Sequence, residues 1–269
     1  MKIVDHATRG RSTVKLETEG QIPLHWWDIK PNFGDALSPW LAQHISGKPV
    51  SFAARHSRSY LSIGSILSHA GNESIVWGTG SFGTETPSQL ATNAEYRAVR
   101  GPLTRNILER NKISCPRVYG DPALLVPAFY SPDVEKTHEL GIVLRWSESN
   151  RNKHAIPGVK PIFLRNDNIE EVLDSFLACE KIISTSLHGL IIADAYGIPN
   201  AWLDSPTPKG LEFKYWDYLI SVGKTRDPQP YRLHAPGLTA STLLNDMNFD
   251  RRPVNLDLGP LLSACPFRD

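Results

Sequence analysis

Residues 181–203 read as an apolar strand (181–184), a polar turn, an apolar helix (190–196) stopped by Gly197 and Pro199, and a second short strand (200–203). A strand that feeds a helix and then another strand is the crossover unit of a parallel sheet. The same alternation runs upstream. Residues 36–45 have helical spacing after the turn Asn32-Phe33-Gly34-Asp35, and 59–63 and 74–77 read as buried strands. Residues 96–100 form a strand, 103–110 a helix with Pro102 in its first turn, and 117–119 a strand closed by Gly120-Asp121-Pro122. Residues 127–138 then turn polar, with Pro127 and Pro132, which places a boundary between an N-terminal unit of residues 1–131 and a C-terminal unit of residues 132–269. The second unit opens with a strand at 140–144. A helix follows at 169–178, with Val172, Leu173, Phe176 and Leu177 on one face and Asp167 or Asn168 as its cap. Residues 215–221 and 238–248 complete the helical pattern. The expected fold is α/β, with two Rossmann-like parallel-sheet domains. A ligand cleft lies between them, at the carboxyl ends of the strands.

Composition narrows the partners. Twenty-nine basic against 28 acidic side chains leave a net charge of +1, without the basic excess of a nucleic-acid binder, so nucleic acid is not an expected partner. Three scattered cysteines fit a reducing compartment better than a disulfide scaffold. No apolar run approaches the ~20 residues that span a bilayer. The first residues, MKIVDHATRGRS, lack the apolar core of a signal peptide. The expectation is a soluble cytoplasmic protein whose contact with a membrane is peripheral.

The chemistry-bearing residues cluster at predicted strand ends. Ser184-Thr185-Ser186-Leu187-His188-Gly189 joins a strand to a helix. It brings hydroxyls and an imidazole to a helix N-terminus, where free amides favour an anion and Gly189 admits close approach. The plainer reading, that the serines cap the helix and His188 packs locally, carries equal weight on these residues alone. Arg100, before Gly101, ends a strand and can grip a carboxylate or phosphate or form a surface ion pair. Asp121 sits in a strand-ending turn. Asn32, Gly34 and Asp35 open a helix, with Asp35 either its N-cap or a base for a substrate hydroxyl. Arg145, between Leu144 and Trp146, is a further cation at a strand end, and Lys214 lies among aromatics in Glu212-Phe213-Lys214-Tyr215-Trp216-Asp217-Tyr218. Several of the seven tryptophans, Trp26 among them, fall in loop-like stretches where they stack on sugar rings or anchor the core.

Familiar nucleotide and hydrolase signatures are missing. There is no G-x-x-x-x-G-K-[ST], no H-E-x-x-H and no G-x-S-x-G. Gly78-Thr79-Gly80-Ser81-Phe82-Gly83 mimics a dinucleotide loop, but Thr84-Glu85-Thr86-Pro87 breaks any helix after it. Gly80 therefore stands as a cleft candidate without a nucleotide attached.

Five segments in order, NFGDALSPWL (32–41), VWGTG (76–80), RAVRGPLTRNIL (97–108), VYGDPALL (118–125) and ISTSLHGLIIADAYGIP (183–199), resemble the polysaccharide pyruvyltransferase family. The likeness is to the ketal pyruvyltransferases of bacterial exopolysaccharide synthesis, of the xanthan and succinoglycan type, and covers roughly residues 25–223. It implies a fold like that of the GT-B glycosyltransferases, with phosphoenolpyruvate as co-substrate and no separate cofactor or metal. The implied acceptor is a sugar diol on a lipid-linked oligosaccharide, met at the inner face of the cytoplasmic membrane. The histidine of the family's L-H-G motif, here His188, is implied as donor-binding residue and acid. Some members carry arginine two residues earlier, where this chain has Ser186, so Arg100, Arg145 or Lys214 must supply that charge. Ser184, Ser186, Leu187 and Gly189 complete the expected donor site.

The chemistry agrees with these residue types. Phosphoenolpyruvate carries about three negative charges and needs Arg and Lys in a desolvated cleft. Its methylene carbon must be protonated, which suits His188. A carboxylate, Asp35 or Asp121, can take protons from the attacking hydroxyls. Two other readings use the same residues: a nucleotide-sugar glycosyltransferase of related fold, and an inactive carbohydrate-binding relative.

Overall fold

The computed structural model describes residues 16, 20–145, 148, 156–205, 212–233 and 235–268. Trp146, named above beside Arg145, lies outside them. Among the described residues nine strands fall into two sheets, and every pairing between these strands is parallel. The first sheet holds β1 (Ile22–His25), β2 (Val50–Phe52), β3 (Tyr60–Leu61), β4 (Ile75–Trp77) and β5 (Glu95–Ala98), in the order β2-β1-β3-β4-β5. The second holds β6 (His138–Val143), β7 (Val159–Ile162), β8 (Cys179–Ser184) and β9 (Asn200–Trp202), in the order β7-β6-β8-β9. The helices are α1 (Phe33–Ser46), α2 (Pro102–Arg110), α3 (Ile169–Leu177), α4 (Leu187–Ala195), α5 (Phe213–Ser221), α6 (Ala240–Asp246) and α7 (Gly259–Ser263). This is the α/β architecture with two parallel sheets that the alternating pattern predicts. None of the described helices is long and apolar enough to cross a membrane.

In both sheets the chain steps first to one side and then to the other. The reversals fall between β1 and β3 and between β6 and β8. Such switch points open a crevice beyond the carboxyl ends of the two strands, because the connections leave in opposite directions. Asp35 follows β1, Gly64 follows β3, Arg145 and Glu148 follow β6, and His188 follows β8.

Several boundaries differ from the sequence expectation. The segment 117–119 makes only an isolated bridge, Val99 to Tyr119, because Pro116 and Pro122 bracket it. Helix α1 begins at Phe33, three residues early, and its N-cap is Asn32, whose side chain accepts from the Gly34 amide at 3.3 Å. Asp35 therefore sits inside the first turn and is not the cap. Helix α4 begins at Leu187, with Ser186 at the N-cap position, so His188 lies on the helix rather than before it. Strands β1, β2 and β7 and helix α7 have no counterpart in the expectation.

The two sheets lie on either side of residue 131, but their packing is shared. One apolar cluster includes Leu24, Phe33 and Trp77 from the first half and Leu173, Phe176 and Leu190 from the second. Phe33 stacks on Phe176 with ring centroids 6.2 Å apart, and its amide donates to the Leu164 carbonyl at 2.9 Å. The C-terminal segment returns to the first sheet. The Trp77 indole donates to the Leu261 carbonyl at 2.8 Å, and Phe267 packs edge-on against Tyr60 and Trp77. These contacts fix the two switch points relative to each other.

Candidate active site

The two crevices meet where α1 faces α4. The His188 ring lies against the Gly34 backbone, and a Cβ on Gly34 would fall 1.9 Å from Nδ1. Nε2 of His188 is buried and has no hydrogen-bond partner among the described residues. Burial, then Lys214 and Arg100, push the imidazole down to about 3, so it is neutral at neutral pH.

Asp35 accepts a short hydrogen bond from Asn32 Nδ2, so Asn32 both caps α1 and orients this carboxyl. Gly64, at φ +114°, leaves space beside Oδ1 of Asp35. Burial raises Asp35 to about 7, against the opposing pull of the Asn32 bond and the Lys214 charge. Lys214, in the first turn of α5, lies 5.5 Å over the Phe82 ring and 5.3 Å over that of Tyr215. Burial, then Arg145 and Arg100, bring its ammonium down to about 7. A carboxyl and an amine that both titrate near neutrality, beside a neutral imidazole, make a site where protons move at little cost.

Arg145 is held at the edge of this cluster. Its amide donates to Thr185 Oγ1 at 2.9 Å, its guanidinium to Ser205 Oγ at 3.3 Å, and its Cζ lies 5.9 Å over Tyr215. Thr185 Oγ1 in turn donates to Glu148 at 2.7 Å. Glu148, nearly buried, also accepts from Ser205 Oγ. The strand end of β8 is thereby tied to the loop after β6.

Arg100 is placed differently from an open anion ligand. It is fully buried and bonds Asp217 through Nε at 3.1 Å, Ser65 Oγ through one terminal nitrogen at 2.7 Å, and the Ser81 carbonyl through the other at 2.8 Å. Asp217 also accepts from the Thr104 amide and hydroxyl. Gly80 makes room for this guanidinium, since a Cβ there would lie 2.2 Å from Cζ. Arg100 thus braces the β5 end against α5, and its charge reaches the site through space.

The remaining candidates also have local duties. Ser184 Oγ accepts from the Ser186 amide at 2.9 Å and turns the strand into the helix, and Gly189 packs on that same oxygen. Leu187 is a core residue. The Tyr215 hydroxyl donates to the Thr185 carbonyl at 2.6 Å and so ties α5 to the turn before α4. The Ser186 side chain makes no capping bond. Asp121 is buried and caps the 3-10 turn Pro122–Ala128 through Oδ1, while its Oδ2 has no partner among the described residues. Burial raises it to about 6. Trp26 is half-buried and packs edge-on against Phe52, 5.0 Å away.

Thr185, Tyr215 and Asp217 lie within motifs the sequence displays, but only the fold assigns them their roles. Glu148 and Ser65 carry no signal in the sequence. Among the described residues no group of three or more His, Cys, Asp or Glu side chains is placed to share a metal ion.

Fold and site together define an α/β protein that gathers the cations Lys214 and Arg145, a neutral imidazole and a carboxyl where two parallel sheets meet. The chain belongs to the family described as polysaccharide pyruvyl transferase, whose sequence model matches residues 46–206. It is 26% identical over 261 residues to "Uncharacterized protein L143" of Acanthamoeba polyphaga mimivirus, covering 91% of this chain and 90% of that one. It is 27% identical over 229 residues to "Succinoglycan biosynthesis protein ExoV" of Rhizobium meliloti, covering 77% of this chain and 66% of that relative. The relatives thus include a virus and a bacterium, so membership alone does not restrict the source to bacteria.

Proposed function

We propose that the protein transfers pyruvate from phosphoenolpyruvate to two hydroxyls of a sugar in a surface or extracellular polysaccharide, with a cyclic ketal and phosphate as products. The carrying observation is the convergence of Lys214 and Arg145 with Asp35 and the unpartnered Nε2 of His188, across two facing switch points. Lys214 and Arg145 attract the donor's phosphate and carboxylate. That negative charge raises the imidazole's proton affinity, and His188 then delivers a proton to the methylene carbon, which becomes a methyl group. One hydroxyl oxygen bonds to C2 and gives its proton to Asp35. The second hydroxyl oxygen bonds to C2 as the C2–O bond to phosphate breaks, and its proton leaves with the base or the phosphate. A carboxylate titrating near 7 is a stronger base than an ordinary one, which suits this role.

The cations supply the charge this chemistry needs, so full turnover after treatment with a strong chelator is expected. The acceptor is a glycan, carried on a lipid in this reading. Exposed Ile29, in the loop between β1 and α1, and Phe163, just past β7, support approach to a lipid surface.

The test is phosphoenolpyruvate with a panel of glycosyl acceptors, followed by ³¹P NMR for phosphate and ¹H NMR for the ketal methyl singlet. Both signals are expected to grow together. Thermal stabilisation by UDP- or GDP-sugars with none by phosphoenolpyruvate would overturn the reading in favour of a glycosyltransferase.

A further inference from the structure

A second cluster of titratable and aromatic side chains stands on the flank of the first sheet, at the same carboxyl ends that carry Asp35. His25 ends β1, Phe52 ends β2, and His69 ends the 3-10 turn Leu67–His69 beyond β3. His25 Nδ1 lies 2.7 Å from the Ala53 carbonyl oxygen, and its Nε2 lies 2.9 Å from Nδ1 of His69. These two contacts fix the protons. A carbonyl only accepts, so Nδ1 of His25 carries hydrogen. In a neutral imidazole Nε2 is then a bare acceptor, so the hydrogen between the rings belongs to Nδ1 of His69. By the same rule Nε2 of His69 presents a lone pair, and no described protein group bonds to it. Burial and the nearby Arg55 lower His69 to about 4, so this neutral arrangement persists at neutral pH.

Aromatic rings flank the histidine pair, with Phe52 5.7 Å from the His25 ring by centroids. Trp27 stacks on His69 at 6.4 Å and 26°, and Arg55 lies 5.7 Å over the Trp27 ring. Trp27 is 37% exposed and Phe52 47%. Exposed aromatic carbon, one fixed acceptor and a cation together match a pyranose, which offers a C–H face and donor hydroxyls on the same small ring. Residues 26–32 run directly from His25 to α1, so the cluster adjoins the helix that carries Asp35.

We infer that His69, Trp27 and Phe52 form a subsite for a sugar unit of the acceptor glycan, with the His25–Ala53 contact setting His69 as hydrogen-bond acceptor. The inference rests on the acceptor being a glycan, and the experiment separates it from the transfer reaction. The full ¹⁵N-labelled chain, without phosphoenolpyruvate, is titrated with methyl β-D-glucopyranoside, methyl β-D-galactopyranoside and methyl α-D-mannopyranoside. Long-range ¹H–¹⁵N spectra report the imidazole nitrogens. His69 Nε2 is expected to have the shift of an unprotonated nitrogen and to move with at least one glycoside. Trp27→Ala, at a partly exposed position, should weaken that response about fivefold; in His69→Gln, glycoside binding is read from the Trp27 indole ¹H–¹⁵N signal and should weaken while the other histidine signals stay folded-like. A proton on His69 Nε2, no response to any of the three glycosides, or an unchanged affinity in Trp27→Ala overturns the subsite. So does a response of His69 and Trp27 to anionic phosphatidylglycerol vesicles but not to the glycosides, which makes the patch a lipid contact. Failure of the transferase reading shows separately, as absence of phosphate release.

Discussion

Nδ1 of His188 lies 1.9 Å from the point where a Cβ on Gly34 would stand. Gly34 occupies the first turn of α1, where alanine is otherwise better than glycine by about 1 kcal/mol. The sign of Gly34→Ala is therefore decided by the neighbouring ring and not by the helix. The imidazole can swing away more easily than the backbone can move, so the variant should fold with a stability change within about 1–3 kcal/mol. Turnover should fall by ~10²-fold, because the reacting nitrogen is misplaced. Adding Gly34→Ala to His188→Ala should then stabilise, since the clash has gone, and thermal melts of the four proteins measure this directly. A Gly34→Ala enzyme at full rate would mean that His188 works equally well from another seat.

Donor binding should take up protons. Burial and the neighbouring arginines bring Lys214 down to about 7, so at about pH 8 most of it is neutral. Asp35, also near 7, is mostly ionised there. The negative charge of phosphoenolpyruvate raises the proton affinity of Lys214, and the ammonium so formed helps to keep Asp35 ionised as the base. Affinity should fall as pH rises between about 7 and 9, by up to ~10-fold per pH unit for each proton coupled. Calorimetry in two buffers of different ionisation enthalpy reads the number of protons. Zero uptake at about pH 8 removes Lys214 from the donor's surroundings.

Arg100 and Asp217 predict a split between stability and binding. Both side chains are fully buried, and they pair at 3.1 Å. Arg100→Ala leaves Asp217 buried without its cation, which should cost about 3–5 kcal/mol in denaturant unfolding. Arg100→Lys keeps the charge but cannot reach Asp217, Ser65 and the Ser81 carbonyl at once, so it should also be less stable. Its KM for phosphoenolpyruvate should change less than its stability does. Unchanged stability with lost donor affinity would instead make Arg100 a direct ligand.

The fold class was legible because parallel sheets with crossover helices impose a coarse rhythm of apolar runs and turns that survives irregular boundaries. Strand β1 was hidden because IPLH is only four residues long and Pro23 interrupts it, although it lies inside the sheet between β2 and β3. Helix α1 carries Pro39 in its interior, yet its start was misplaced for another reason: Asn32 caps it and Gly34 is accepted as helical. His188, Asp35 and Lys214 were visible as reactive types at strand ends. What composition and spacing could not display was their pairing across the cleft, which depends on contacts between distant segments such as Phe33 with Leu164 and Arg100 with Asp217. Arg100 illustrates the difference. A strand-end arginine before glycine looks like a ligand, and only the position of α5 shows what occupies it.

His188 makes the sharpest prediction. Its Nε2 is buried without a partner, and the imidazole is held down to about 3. The unfolded chain, where histidine titrates near 6.5, therefore binds more protons between about pH 3 and 6.5. The wild type should lose stability as pH falls through that window, by up to ~1.4 kcal/mol per pH unit from this group. His188→Ala should flatten that loss while folding normally at neutral pH. The same variant should lower kcat by ~10²–10⁴-fold, the range of a general acid. His188→Gln separates binding from proton delivery, because its amide donates a hydrogen bond but cannot release a proton. The glutamine enzyme should bind phosphoenolpyruvate within a few-fold of wild type, as read by calorimetry, and turn over as poorly as the alanine variant. A glutamine enzyme near the wild-type rate would reduce His188 to a binding group. An alanine variant that fails to fold at neutral pH would make His188 a core residue, whatever its place in the cleft.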